Sequence, residues 1–444
     1  MRTHDQSRNR RFLIIGGVIA TVAIAIGITL ALINPALTRY VESPRFRLAL
    51  EQETAKGLHF PSSAFASIRR TGLLKAQSES FKARDGRKAI TNLEAQGITG
   101  RFNPLGVFLR RWQIDELHID RAEIGIHVYE PTPEPQPIKP WYFVFLPDRV
   151  YLKRVWSDNV DVTWLMRDER GGIFRTHLVV TPHGRDFEYR ANGGTLKNPS
   201  MPELAVRQIH LLITKKVFTL YQLDLKAGDG SIHGEGSTLI SGDKHADFAF
   251  NWNEVPVREW VPKTWNGNFA GAATGDLHWT GNDYKLAAAT MTGTVTVKSG
   301  RVGNTKFLDT IAAVTKRNDL AQLDLDVCRL RFRWRQGDCE LSEIEIEQKE
   351  KFRIEGTISF SERSLGGALQ IGMARQYLEW LPHPEEVFTR ESGGYLWTTV
   401  HLSGTLQSPQ QDLSPRLVQA LTDSPGALLG AAFRALGTWL SEQR

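Results

Sequence analysis

The sequence predicts a mainly-β protein held to a membrane by one N-terminal helix. Three observations predict it. Residues 12–33, FLIIGGVIATVAIAIGITLALI, carry no charged side chain, and about 20 apolar residues are what a helix needs to cross a hydrocarbon core. From residue 58 onward the chain reads as short alternating runs divided by turn signals, the period of half-buried strands. Residues 328–348 then place two such runs back to back, one with a basic polar face and one with an acidic polar face.

Composition bounds the class. The chain has 444 residues, long for one compact domain, although large β architectures stretch that limit. With 41% hydrophobic and 23% charged residues it is ordinary globular material, which excludes a disordered chain. The net charge is +6, and half of the excess lies in the first eleven residues, where Arg2, Arg8, Arg10 and Arg11 stand against Asp5. A basic leader before an apolar run is a topology signal. No zinc-finger, helix-turn-helix or glycine-aromatic RNA motif accompanies it, so no nucleic-acid partner is expected.

The anchor is built on Phe12, Ile14, Val18, Val22, Ile26, Leu30 and Ile33, and Asn34-Pro35 stops it. A cleaved signal peptide is the alternative. Its small-residue site would be Ala23-Ile24-Ala25, but that lies mid-run with a further uncharged stretch behind it. The leader arginines favour a cytoplasmic N-terminus. Arg39, Arg45, Arg47 and Lys56 follow the run at lower density. The expected topology is a single-pass membrane protein with most of the chain outside the cytoplasm, which the family resemblance described below would make the inner membrane and the periplasm.

Beyond the anchor, ESPRFRLALEQETAK (42–56) reads as a helix with Pro44 in its first turn and Gly57 at its exit. Short strands follow to about residue 130. PTPEPQPIKP (131–140) is an extended linker or boundary. Further strands come after it, with Gly171-Gly172 and Gly193-Gly194 as turns. KFLDTIAAVT (306–315) is a short helix with Phe307, Leu308, Ile311 and Val314 on one face. Near the end, Leu429, Phe433, Leu436 and Trp439 form the stripe of a C-terminal helix, either a cap on the β structure or an interfacial, partner-binding helix.

In CRLRFRWRQGDCELSEIEIEQ, Leu330, Phe332 and Trp334 share a dry face, and Ile344 and Ile346 answer them across a turn near Gly337. The expected register sets Phe332 opposite Ile344, Leu330 opposite Ile346, Arg333 opposite Glu343 and Arg331 opposite Glu345. In that register about nine residues of strand, on the order of 30 Å, separate Cys328 from Cys339. A disulfide needs Cα atoms within about 7 Å, so two free thiols are expected.

No nucleophile elbow, zinc-binding His-Glu-x-x-His, phosphate loop or Cys-x-x-Cys occurs. His233, between Asp229-Gly230 and Glu235, reads as part of a turn. Asp324 and Asp326 read as the wet side of a strand. Neither a catalytic residue nor a metal or cofactor site is assigned. Gly-Thr-aliphatic recurs at Gly194, Gly293, Gly356 and Gly404. It reads as punctuation, with Thr405 and Leu406 opening a strand that Pro409 ends.

Taken in order, the anchor followed by NPALTRYVESPRFRLALEQETAKGLHF, then MTGTVTVKSGRVGNTKFLDTIAAVT (291–315), RIEGTISFSERSLGGALQIGMA and HLSGTLQSPQQDL, resembles the AsmA-like family of bacterial envelope proteins. The resemblance divides the chain into a basic cytoplasmic tail (1–11), anchor (12–34), helix and chorein-like β module (35–130), linker (131–140), middle β region (141–290), AsmA-like β region (291–412) and helical end (413–444). It implies a long twisted antiparallel sheet folded into a U-shaped, β-taco-like groove. An apolar lining would include Leu330, Phe332, Trp334, Ile344, Ile346, Ile354 and Ile358. It further implies phospholipid and the inner membrane as partners, with other envelope proteins or self-association, a role in lipid transfer or outer-membrane biogenesis, and no enzyme activity. The strand pattern alone leaves two forms open: an open groove for acyl chains, or a closed β core in an anchored scaffold or assembly factor.

Overall fold

A computed structural model describes residues 34–35, 37–86, 90–103, 106, 112–127, 150–166, 169–183, 186–199, 201–240, 244–261, 267–282, 288–303, 308–309, 312 and 317–422. The expected anchor, the proline-rich 131–140 segment and the stripe of Leu429, Phe433, Leu436 and Trp439 lie outside them. Among the described residues no helix is long and apolar enough to cross a membrane. The protein is mainly β. It divides into two compact units, Met1–Pro182 and His183–Arg444.

The first unit begins with α1 (Pro44–Leu58). The Ser43 hydroxyl accepts a hydrogen bond from the Phe46 N–H at 3.2 Å, satisfying one orphan donor of the first turn. The helix runs past Gly57 and ends on His59, left-handed at φ 60°. Its strands are β1 (Ser62–Phe65), β2 (Arg69–Gly72), β3 (Lys75–Arg84), β4 (Ile90–Phe102), β5 (Trp112–Ile126), β6 (Val150–Leu152), β7 (Val155–Met166) and β8 (Glu169–His183). Ala55 of α1 packs with Phe60, Phe81, Ala83, Ala95 and Ile98 to form the core over this sheet.

An all-antiparallel sheet was expected, and here the expectation fails. β5 pairs in parallel with β6 and β7. The sequence between β5 and β6 is long enough for a crossover, whereas a tight turn permits only antiparallel neighbours. Gly171-Gly172 is also no turn. Both residues lie inside β8, paired with Trp164 and Thr163.

The second unit contains β9 (Asp186–Asn192), β10 (Thr195–Asn198), β11 (Met201–Ile213), β12 (Val217–Ala227), β13 (Gly230–Leu239), β14 (Ala246–Pro256), β15 (Phe269–Gly281), β16 (Ala289–Gly303), β17 (Gln322–Leu325) and β18 (Val327–Arg335). It continues with β19 (Asp338–Gln348), β20 (Phe352–Phe360), β21 (Leu365–Ala374), α2 (Pro384–Val387), β22 (Arg390–Ser392), β23 (Tyr395–Gly404), β24 (Pro409–Gln411) and α3 (Leu413–Thr422). The longer strands pair antiparallel in the order β9, β11 to β16, β18 to β21, β23. At about 4.8 Å per strand this stack extends roughly 50–60 Å across the strands.

The hairpin of β18 and β19 keeps its faces but not its expected register. Cys328 faces Ile346, Arg329 faces Glu345, Phe332 faces Leu341, and Trp334 faces Cys339. Two features cause the shift. The turn is the two-residue loop Gln336-Gly337, with φ of 52° and 96°, shorter than the spacing to Ile344 had implied. A bulge at Glu343, with φ 51°, then absorbs one residue and returns Ile344 to the dry face. The cysteines are free. Six residues of strand, roughly 20 Å rather than 30, separate the level of Cys328 from that of Cys339.

The Gly-Thr-aliphatic segments play different parts. Gly194, at φ 92°, completes a turn before β10, but Gly404, also at φ 92°, ends β23. Thr405 and Ser408 exchange backbone hydrogen bonds across a hairpin loop, and Pro409 opens β24 rather than closing a strand. His233 sits within β13 instead of a turn, with Nδ1 2.5 Å from Asp224 Oδ1 on the wet face.

Candidate functional site: an apolar sheet face

Directly paired residues point to the same side of a sheet, so the registers trace one face across the second unit. On β14 to β16 that face carries Phe248, Phe250 and Trp252, then Leu277 and Trp279, then Met291 and Val295. It continues through Leu330, Phe332 and Trp334 to Leu341, Ile344 and Ile346. Ile354 and Ile358 on β20 follow, then Leu369 and Ile371 on β21. In the other direction it reaches Leu223 and Leu225 on β12 and Ile209 and Leu211 on β11. The seven residues expected to line a groove all lie on it. Ile344 is buried, and the other six are half-buried.

Aromatic rings on this face lie over glycines of the neighbouring strand. Gly234 faces Phe250, Gly236 faces Phe248, Gly275 faces Trp252, and Gly293 faces Phe332. A Cβ at Gly293 would stand 2.7 Å from the Phe332 ring and 2.0 Å from the Asp276 carbonyl oxygen. Gly293 is therefore not a turn residue but the floor on which a ring rests. Sequence reasoning missed these pairs. Their signal was present as glycines at inward positions of strands that otherwise alternate.

One end of the face is covered. Leu378, Leu381, Val387, Phe388 and Ala420 form a buried cluster with Leu396 of β23, and Met373 of β21 and Leu417 of α3 pack against it. Beside it, Ala312, Leu320 and Tyr377 form a second cluster that also meets Met373 and Leu323. The Tyr377 hydroxyl donates to Asp319 Oδ2 at 2.8 Å and holds that carboxyl below its ordinary range. Leu308, in the expected 306–315 helix, is buried, while Phe307, Ile311 and Val314 lie outside the described residues.

The wet side is ionic. Arg329 pairs with Glu345, Arg353 reaches Glu345 at 3.0 Å, and Arg331 reaches Glu343 at 3.4 Å. Asp324 pairs with Arg301 at 2.7 Å, and Asp326 accepts from the Lys349 N–H at 2.8 Å. On β9, Glu188 is contacted by His183, Arg190 and His210 at 3.0, 2.7 and 2.8 Å. His183 first and Arg190 next lower its pKa to about 2. On the dry side, burial pushes up the Tyr189 phenol and the thiols of Cys328 and Cys339. Among the described residues no cluster of three or more His, Cys, Asp or Glu is placed to hold a metal.

No protein-family model, curated protein or solved structure matches this chain. The candidate site is the face itself, a broad apolar surface of buried and half-buried side chains backed by an ionic side.

Proposed function

We propose that this chain is an AsmA-like, inner-membrane-anchored periplasmic protein that takes phospholipid acyl chains onto the apolar face of its second unit and helps lipid transfer or outer-membrane biogenesis. In this reading the sheet curves into a U-shaped groove lined by Phe332 and its neighbours, and headgroups stay in water at its rim. The observation that carries the reading is the continuity of an apolar face on which Phe250, Trp252, Leu330, Phe332 and Trp334 remain half-buried. A closed core would bury them.

The energetics suit transfer. Burying a methylene is worth about 0.8 kcal/mol against water. A bilayer offers the same burial, so exchange between bilayer and face is nearly balanced. The aromatic-on-glycine pairs favour the reading too, since rings laid flat give a smooth wall without a pocket for one headgroup.

The test is mass spectrometry of lipid bound to the gently solubilised full chain. Phospholipid should accompany the wild type, and Phe332→Asp, shown to be folded by circular dichroism, should lose it several-fold. Wild-type protein free of lipid would sink the proposal in favour of an anchored scaffold with a closed core.

A further inference from the structure

The first unit carries an exposed apolar hairpin tip. β2 and β3 are joined by Leu73-Leu74, with Gly72 paired to Lys75. Two-residue hairpin loops favour Asn, Asp and Gly. Here two leucines stand in that place, 50% and 37% exposed. Lys75, directly after the loop, is exposed and paired with exposed Arg101, and exposed Arg69 stands 3.8 Å from Glu79 in an exposed pair.

The position of this tip is fixed by one side chain. Arg70 donates through Nη2 to the Leu73 carbonyl at 2.9 Å. Through Nη1 it donates to the Asn34 carbonyl at 2.9 Å, to the Asn34 side-chain oxygen and to Thr38 Oγ1 at 2.8 Å. Asn34 is the residue that directly follows the uncharged run 12–33. Arg70 thus ties the leucine tip to the point where that run ends. Residues 37–41 are helical, and Tyr40 among them is 48% exposed.

We propose that the Leu73-Leu74 tip inserts into the interfacial region of the bilayer that holds residues 12–33, with Arg69, Lys75 and Arg101 on anionic phospholipid headgroups. Exposed leucines next to paired cations match the chemistry of a bilayer interface. The tip would be a second membrane contact, setting the first unit at a defined angle on the surface instead of leaving it to swing from its anchor. This rests on the reading of residues 12–33 as a membrane span, and the test separates the two.

The experiment uses full-length protein with Cys328 and Cys339 replaced by Ser, reconstituted in vesicles of phosphatidylethanolamine and phosphatidylglycerol. A polarity-sensitive fluorophore is placed singly through Leu74→Cys, Val22→Cys or Lys82→Cys. Lys82 is eight residues beyond Leu74 along β3, roughly 26 Å away. Brominated lipid should quench the Leu74 probe several-fold more than the Lys82 probe, and Arg70→Ala should reduce that difference. Quenching at Val22 with none at Leu74 overturns the proposal and leaves the anchor standing. Quenching at Leu74 with none at Val22 upholds the tip contact and removes the anchor. Blue-shifted emission at Leu74 without bromolipid quenching assigns the tip to a protein contact and overturns the proposal.

Discussion

Two stretches of the same apolar face differ in what covers them. At the β21–β23 end, Leu378, Leu381, Val387 and Phe388 fold over the sheet, and Leu396 beneath them is 4% exposed. Along β14 to β20 the residues are as apolar, yet Phe250, Trp252, Phe332 and Trp334 remain half-buried. Strand alternation makes a dry face. Whether that face becomes core depends on a second layer, and among the described residues that layer lies over the β21–β23 end.

Substitutions in the two stretches should separate sharply. Leu378→Ala removes a side chain only 1% exposed and should cost about 3 kcal/mol, transfer and cavity terms together. Phe332→Ala should cost about 1 kcal/mol, because a half-exposed ring gives up part of its transfer energy and leaves no sealed cavity. Denaturant titration measures both. Equal costs would break the comparison and make the face a closed core throughout.

A smaller effect is expected on the ionic side at Glu188. Its folded pKa of about 2 lies below the ordinary 4.5. Its contribution is therefore complete above about pH 4.5 and is lost as pH falls through about 2. Solvent screening at this partly exposed site reduces it to about 1 kcal/mol. The difference in unfolding free energy between wild type and Glu188→Gln should be present at pH 6 and shrink between pH 4.5 and 2. A difference independent of pH would assign the effect to packing. Least of all, Arg331→Ala should cost less than about 0.5 kcal/mol, since its pair with Glu343 is exposed on both sides. A larger loss would mean that the ionic side, rather than the apolar one, holds these strands together.

Much of this was legible because β structure writes its faces into the chain at period two. Leu330, Phe332 and Trp334 against Arg329, Arg331, Arg333 and Arg335 announced a two-sided strand, and the faces emerged as read. The register did not, because turn length and bulges shift it without altering the alternation on either side. The short Gln336-Gly337 turn moved every expected pair, and the unseen bulge at Glu343 shifted those beyond it once more. The same blindness hid the inward phase change in β3, where Ala76 and Ser78 are buried and then Phe81 and Ala83. Gly293 was misread as punctuation because its reason, the Phe332 ring, lies on another strand.

By itself the sequence determined the mainly-β class, the division of residues into dry and wet faces, the first helix with Pro44 in its first turn, and the absence of familiar catalytic motifs. These are local properties, set by the spacing of side chains along one strand or helix. Only the tertiary structure decided which strands pair, that β5 to β7 run parallel, where the rings find their glycines, and which part of the dry face is covered. Those depend on chain closure and on contacts between residues far apart in sequence, whose partners no local pattern names.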